Sequence, residues 1–141
     1  MAESLICTNT QSRVSSVLNR DVKQFGKKFM FDCSEETCWN SDQGESQWVF
    51  LEFPAPVRVS ELKLQFQGGF AGKSCRLTGC SKDGNLEHIS DFYPEDNNAM
   101  QSFPIQNGPP VQKLKIIFEN STDFFGRIIV YCLDVLGERV L

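Results

Sequence analysis

The sequence has little of several features that mark specialised classes of protein. No apolar run approaches the roughly 20 residues that a membrane-spanning helix needs, so no membrane span is expected. The 14 Lys and Arg residues are outnumbered by 18 Asp and Glu residues, and the net charge is -4. The chain therefore lacks the overall positive charge that drives non-specific binding to nucleic acid, and a DNA-binding role would require a local basic patch.

Support for catalysis or for export is equally scarce. His88 is the only histidine, and its neighbours form no nucleophile motif, so a Ser-His-Asp or Cys-His centre has little to build on. The first residues carry an acid where a secretory signal needs positive charge. We therefore expect an intracellular protein that is not an enzyme.

Six cysteines are present, and an intracellular location predicts that they are reduced thiols. Cys33 and Cys38 are separated by four residues, as are Cys75 and Cys80, and this spacing is permissible for zinc but not diagnostic. We interpret all four as free thiols, which are commonly buried or half-buried.

What the chain does have is phenylalanine and a strand-like apolar pattern. Phe contributes 12 residues against 2 Trp and 2 Tyr, which favours a bulky core between packed sheets. Short apolar or alternating segments recur at nearly regular spacing between turn-forming residues, which is typical of an all-β sandwich or barrel. At 141 residues the chain is expected to form one domain spanning 1–141. The predicted strands are 48–53, 57–59, 62–66, 75–80, 88–89, 100–105, 113–118 and 128–133.

Three local features can be predicted as well. The first strand should end at Pro54, because proline cannot donate to a ladder. Ser60 and Glu61 shift the apolar alternation by one position, which a β-bulge would restore. The only helix-like segment begins at Asn19 as N-cap and stops at Gly26.

The order of motifs resembles the discoidin, or coagulation factor V/VIII C-type, domain family over nearly the whole chain. Each motif is weak alone, but their joint order is specific. The motif residues are Val14-Ser15-Ser16, Asp32 with Thr37 and Trp39, Gln47 to Phe53, Val59-Ser60, Ser81 to Gly84, and Phe125-Gly126-Arg127 with Gly137. This resemblance implies a jelly-roll β-sandwich of the galactose-binding-like type.

Four runs also resemble a small intracellular branch of that family: 13–20, 35–44, 92–98 and 122–127. The resemblance implies a nuclear module, with the cytoplasm as a second compartment. It implies a repressor, expected to be monomeric, that binds an orphan nuclear receptor and hinders its binding to DNA response elements. Secreted relatives commonly join their two ends by a disulfide, whereas here Cys7 has no cysteine near Gly137. This difference favours the intracellular interpretation.

The resemblance also implies a calcium site. Carried over to this sequence, the oxygen donors would be Asp32, Thr37 and Asp134, with backbone carbonyls completing the shell. Asp134 replaces the longer glutamate of the family pattern. The expectation is that no cofactor is required and that calcium is the ion to test.

Partner binding is expected in the loops. Phe70 follows two glycines, and Phe124, Phe125 and Arg127 lie between a polar turn and the most apolar strand, a composition typical of binding loops. The two tryptophans, by contrast, lie in the family's structural motifs and are expected to pack in the core.

The second candidate surface is basic. It contains Arg20, Lys27 and Lys28, in a segment rich in cations, whereas acids dominate from Asp32 to Glu45 and from Asp91 to Asp96. Two other functions therefore stay open: a DNA-contacting domain of the kind found in repair scaffolds, and a glycan-binding module.

Overall fold

The computed structural model describes residues 3–32 and 34–140, which form nine antiparallel strands. The described helical segments are a 3₁₀ turn at Leu18–Arg20, α1 at Val22–Phe25 and a 3₁₀ turn at Lys27–Met30. The predicted all-β architecture is confirmed. The strands are β1 Glu3–Ser4, β2 Gln11–Val14, β3 Trp39–Asn40, β4 Ser46–Phe66, β5 Gly72–Cys80, β6 Glu87–Phe92, β7 Met100–Pro104, β8 Pro110–Ser121 and β9 Ile129–Arg139.

Strand β4 links the two layers of the sandwich. Its first half pairs with β2 and β8, and β8 continues to β5 and β6. Its second half pairs with β7 and β9, and β9 also holds β1 and β3. The predicted stop at Pro54 is therefore wrong: the strand continues through Pro54 and Pro56 while its register against β8 shifts between Glu52 and Val57. The bulge predicted at Ser60 is confirmed by the shift between Val59 and Glu61 against β9.

The core lies between the layers and follows the alternation of side chains along each strand. Trp39 is fully buried, its ring centroid is 6.2 Å from that of Phe118, and its indole N–H donates to the Ser16 carbonyl at 2.9 Å. On β4 the inward positions begin at Gln47, so Trp48 lies on the outer face with the Lys115 ammonium 4.8 Å from its ring centroid. Core packing is thus confirmed for Trp39 and wrong for Trp48.

The short helical segment begins later than predicted. Asp21 is the N-cap of α1, since its carboxylate accepts from the Gln24 N–H at 3.2 Å, whereas Asn19 adopts a φ of 53° within the preceding 3₁₀ turn. Gly26 ends the helix as expected. In the part of the chain that the structure describes, no helix is long and apolar enough to cross a membrane.

The strand registers bring the connections together at two ends of the sandwich. We call the end formed by residues 41–45, 67–71, 93–99 and 121–128 the loop end, because the paired termini of β4, β5, β6, β7, β8 and β9 meet there. We call the opposite end the bend end. It contains the bend of β4 at 53–57 and the connections 81–86 and 105–109.

Candidate functional site

The connection between β8 and β9 projects two phenylalanines from the loop end. The Phe124 side chain is 93% exposed and that of Phe125 is 54% exposed. Their rings meet edge to face, with centroids 5.2 Å apart. Exposed apolar side chains in a cluster are a common mark of an interaction surface. Phe124 and Phe125 are therefore the exposed aromatic pair of this connection.

Arg127 and Asp123 hold this loop in shape. The Asp123 carboxylate accepts from the Arg127 backbone N–H and from its Nε, both at 3.1 Å. Burial opposes the ionisation of Asp123, but these hydrogen bonds and the guanidinium charge outweigh it, so its pKa lies below the ordinary value. The guanidinium also lies 5.0 Å from the centroid of the Phe70 ring. Arg127 therefore organises the loop through its backbone N–H, its Nε and one Nη, all of which donate to Asp123.

The connection 41–45 is hydrogen-bonded to the loop 121–128 that carries Phe124, and we call this contact the clasp. The Gly44 N–H donates to the Phe125 carbonyl at 3.1 Å, and Ser41 bonds Ile128 through both its backbone N–H and its hydroxyl, each at 2.8 Å. Gly126 has a φ of +85°, and a Cβ there would lie 1.8 Å from the Gly44 carbonyl oxygen. Only glycine fits this contact, which explains the glycine of the motif. The clasp leaves an open groove, lined by Gln43, Gly44, Glu45, Ser121, Asp123, Phe124, Phe125 and Gly126.

The other two loops support the site from the opposite side. The Asp96 carboxylate accepts from the Gly69 N–H at 2.7 Å, which ties the connection 93–99 to the turn before Phe70. Phe70 itself is half-buried, and its carbonyl accepts from the Ile129 N–H at 3.1 Å. Hydrogen bonds between the loops therefore hold Phe70, Arg127 and the phenylalanine pair together at the loop end.

The charges of the loop end are one-sided. Glu45, Glu95 and Asp96 are exposed. Arg127 is the only basic residue in the four loops, all of which are described, and it is paired with Asp123. The acidic residues are Asp42, Glu45, Glu95, Asp96 and Asp123.

The alternative basic surface lies on the segment before β3. Arg20, Lys27 and Lys28 are exposed. Lys27 Nζ donates to the Ser12 carbonyl, and Lys28 Nζ lies 5.0 Å from the centroid of the Phe29 ring. This surface is basic but carries fewer exposed apolar side chains than the loop end.

The predicted calcium ligands are hydrogen-bonded to different partners. The Asp32 carboxylate accepts from the Thr37 hydroxyl at 2.7 Å, whereas the Asp134 carboxylate accepts from the Ser4 hydroxyl at 2.6 Å. Across residues 3–32 and 34–140, no group of three or more His, Cys, Asp or Glu side chains is arranged to hold a metal. Calcium binding through Asp32, Thr37 and Asp134 stays a prediction.

Four of the cysteines carry free thiols, namely Cys7, Cys38, Cys75 and Cys80. Cys132 is disulfide-bonded, so the expectation of six reduced thiols is wrong at that residue. Cys33, the remaining cysteine of the zinc-like spacing, lies outside the described residues. Burial raises the pKa of Cys38 and of Cys75, so both are protonated thiols at neutral pH.

The fold and the loop end define a discoidin-like β-sandwich. The F5/8 type C domain of a Bacteroides fragilis protein superimposes on it with a TM-score of 0.83 at 11% identity, covering 99% of this chain and 98% of that one. The family 32 carbohydrate-binding module of NanJ from Clostridium perfringens, solved with galactose, gives a TM-score of 0.78 at 13% identity, with coverages of 97% and 100%. The predicted galactose-binding-like sandwich is thereby confirmed.

The chain belongs to the Sad1/UNC-like C-terminal family, whose sequence pattern matches residues 9–139. Its relatives include the nuclear receptor 2C2-associated protein of Danio rerio, 79% identical over 141 residues and covering 100% of both chains. The protein of that name from Xenopus laevis is 64% identical over 137 residues, covering 97% of this chain and 100% of that one. The Homo sapiens protein is 59% identical over 140 residues, covering 99% and 100%. None of these names refers to a catalytic activity.

Sequence reasoning missed part of the site. The sequence pointed to Phe70, Phe124, Phe125 and Arg127, but not to the contribution of Glu45 to the groove. The acid-rich segments were visible in the composition, yet their meeting at one end depends on strand pairings between residues far apart in the chain.

Proposed function

We propose that this chain is a protein-binding module that associates with an orphan nuclear receptor in the nucleus and hinders its binding to DNA response elements. The observation that carries the proposal is the rigidly held Phe124–Phe125 pair, whose first ring is 93% exposed. Aromatic side chains held on a fixed scaffold lose little conformational entropy on binding and frequently dominate interface energies. The names of three relatives, each at least 59% identical, support the choice of a nuclear receptor as partner.

The structure gives less support to the two other candidate functions. A DNA-contacting surface at the loop end would bring phosphates toward Glu45, Glu95 and Asp96, and like charges repel. The similarity to sugar-binding modules lies at 13% identity and supports the fold alone. A protein partner is therefore the better match to this end of the molecule.

The test is Phe124→Ala in the full chain, with binding to the matching nuclear receptor 2C2 measured by calorimetry. Truncation of an aromatic hot spot typically costs about 2 kcal/mol or more, so we expect an affinity at least about 30-fold weaker. Melting temperature should be unchanged, because the side chain packs outside the core. The parent chain should also displace the receptor from a labelled response element, and Phe124→Ala should do so less well.

Leu86→Ala is the matched control, since Leu86 is 39% exposed in the connection 81–86 at the bend end. It should bind like the parent chain. A Phe124→Ala variant that folds and binds the receptor with parental affinity would exclude the loop end, and the surface of Arg20, Lys27 and Lys28 would be tested next.

A further inference from the structure

We infer that the groove beside Phe124 and Phe125 takes a basic segment of the partner protein, one in which Lys and Arg residues flank an apolar side chain. The inference rests on the proposed function for the location of the site, and it adds the chemistry of the occupant. Phe124 and Phe125 define where the partner docks. The acidic residues around them determine that the docking segment is basic.

The groove at the loop end can accept an apolar side chain. Phe124 and Phe125 line this open groove together with Gln43 and Gly44, so a side chain that entered it would contact aromatic rings and backbone. The Gly44 N–H to Phe125 carbonyl hydrogen bond at 3.1 Å joins the two segments that line it. The residues of the groove are already in position before binding. An apolar side chain that entered it would therefore require little rearrangement of the loops.

The described loops at this end also carry carboxylates that have no basic partner. Arg127 is bonded to Asp123, so this pair presents little net charge to a ligand. Glu45 lines the groove, and Glu95 and Asp96 lie exposed on the neighbouring loop that bonds to the turn before Phe70. Among the described residues of the four loops, none forms an ion pair with Glu45, Glu95 or Asp96. Basic side chains flanking the inserted residue would therefore meet negative charge from Glu45 in the groove and from Glu95 and Asp96 on the neighbouring loop.

This occupant also accounts for interference with DNA. Lys and Arg residues of DNA-binding proteins provide most of the contacts to phosphate. A segment whose cations are engaged by Glu45, Glu95 and Asp96 cannot contact phosphate at the same time. The loop end would then compete with DNA by charge, without touching a base.

The first experiment uses two fluorescent peptides that share one central Trp-Leu pair, flanked by Lys and Arg in one and by Glu in the other. Anisotropy with the full chain should show binding of the basic peptide alone, weakened by Phe124→Ala. Equal binding of both peptides, binding of neither, or basic-peptide binding that is insensitive to Phe124→Ala would overturn the inference. This result does not depend on the receptor, so it is separate from the test of the proposed function.

The second experiment uses the double variant Glu45→Gln with Glu95→Gln and the receptor itself. Exposed interface charges act mainly through association and salt dependence, and two of them together should change the affinity about tenfold at low ionic strength. We expect weaker binding and a flatter dependence on salt. The matched control is Asp83→Asn with Glu87→Gln, two exposed acids at the bend end, which should change neither.

The outcomes of the two experiments can be told apart. If Phe124→Ala weakens receptor binding while the double variant leaves both affinity and salt dependence unchanged, the site is correct and the basic occupant is wrong. If the parent chain does not bind the receptor but binds the basic peptide through Phe124, the choice of partner fails and the inference stands.

Discussion

The loop end and the bend end are built from the same strands and differ in what they expose. At the bend end the turn 81–86 carries one lysine and one aspartate, and Leu5, Phe53 and Val57 close over a small apolar pocket. At the loop end two phenylalanines project outward among acids. The loop end thus exposes two phenylalanine rings, whereas the apolar residues exposed at the bend end are Leu86 and smaller residues such as Pro54 and Ala55.

The difference lies in how the chain reverses direction. At the bend end β4 passes between layers as one strand, so few residues are available to form a binding surface. At the loop end four connections meet and bond to one another, as in the Thr122 N–H to Ala71 carbonyl contact at 2.9 Å. Binding loops held by a rigid framework are the usual arrangement for recognition.

The largest effect is expected at the buried residue that supports the loop end. Trp39→Ala should lower the free energy of unfolding by about 3–5 kcal/mol, because it empties a fully buried site and leaves the Ser16 carbonyl without its donor. Trp48→Ala should cost only about 1 kcal/mol, since the ring is half-buried on the outer face and its specific contact is with Lys115.

Urea denaturation of both variants measures this difference. Equal losses for Trp39→Ala and Trp48→Ala would contradict the inward position of one ring and the outward position of the other. A loss of receptor binding in Trp48→Ala with no loss of stability would move the partner surface from the loop end to the outer face of the sheet.

The two tryptophans also show where prediction from sequence ends. The apolar run from Trp48 to Leu51 indicates a strand but does not reveal which of its two faces is inward. Each face of the run carries apolar residues, so either could be placed inside. The phase is fixed by Gln47, whose buried side-chain oxygen accepts from the hydroxyls of Ser15 at 2.5 Å and Ser16 at 2.8 Å. These partners lie about thirty residues earlier and are unknown before the fold.

The candidate site, too, was predictable from the sequence only in part. The polar turn beside Phe124 and Phe125 was enough to predict a binding loop, but the sequence left open that one of the two rings closes the end of the sandwich. The structure shows that both are exposed. The hydrogen bond from Arg127 to Asp123 was not predicted. The sequence does not show whether an arginine in a loop is already bonded within the protein. The register shift at Ser60 was predictable, since the alternation of side chains along the strand already required it.

A smaller effect is expected where the loops clasp. Gly126→Ala forces a side chain into a left-handed conformation and against the Gly44 carbonyl, so we expect a loss of about 1–3 kcal/mol, with weaker receptor binding. Hydrogen exchange at the Gly44 amide should accelerate, because its bond to Phe125 is disrupted. Gly84→Ala is the control at the bend end, where the added Cβ meets the Ser81 hydroxyl, the tip of a side chain.

Two observations would contradict the clasp. One is an unchanged exchange rate at Gly44 in Gly126→Ala. The other is an equal loss of stability and binding in Gly84→Ala, which would mean that the two ends respond alike.

The smallest effect concerns thiol chemistry, in which the bend end is the reactive one. Cys7 lies there, partly exposed, and its pKa is lowered chiefly by the side-chain hydrogen bond with Thr10. Cys75 is buried on β5, and burial raises its pKa. The thiolate is the nucleophile, so at neutral pH iodoacetamide should modify Cys7 first, and the rate should level off at a lower pH than for a free cysteine. Thr10→Ala should move that profile to higher pH. Peptide mass spectrometry measures both rates, and Cys75 labelled as fast as Cys7 would contradict the assignment.

Because Cys7 lies far along the strands from Phe124, a chain that is alkylated at Cys7 alone should bind the receptor as the unmodified chain does. This experiment separates the two ends by chemistry, without any substitution.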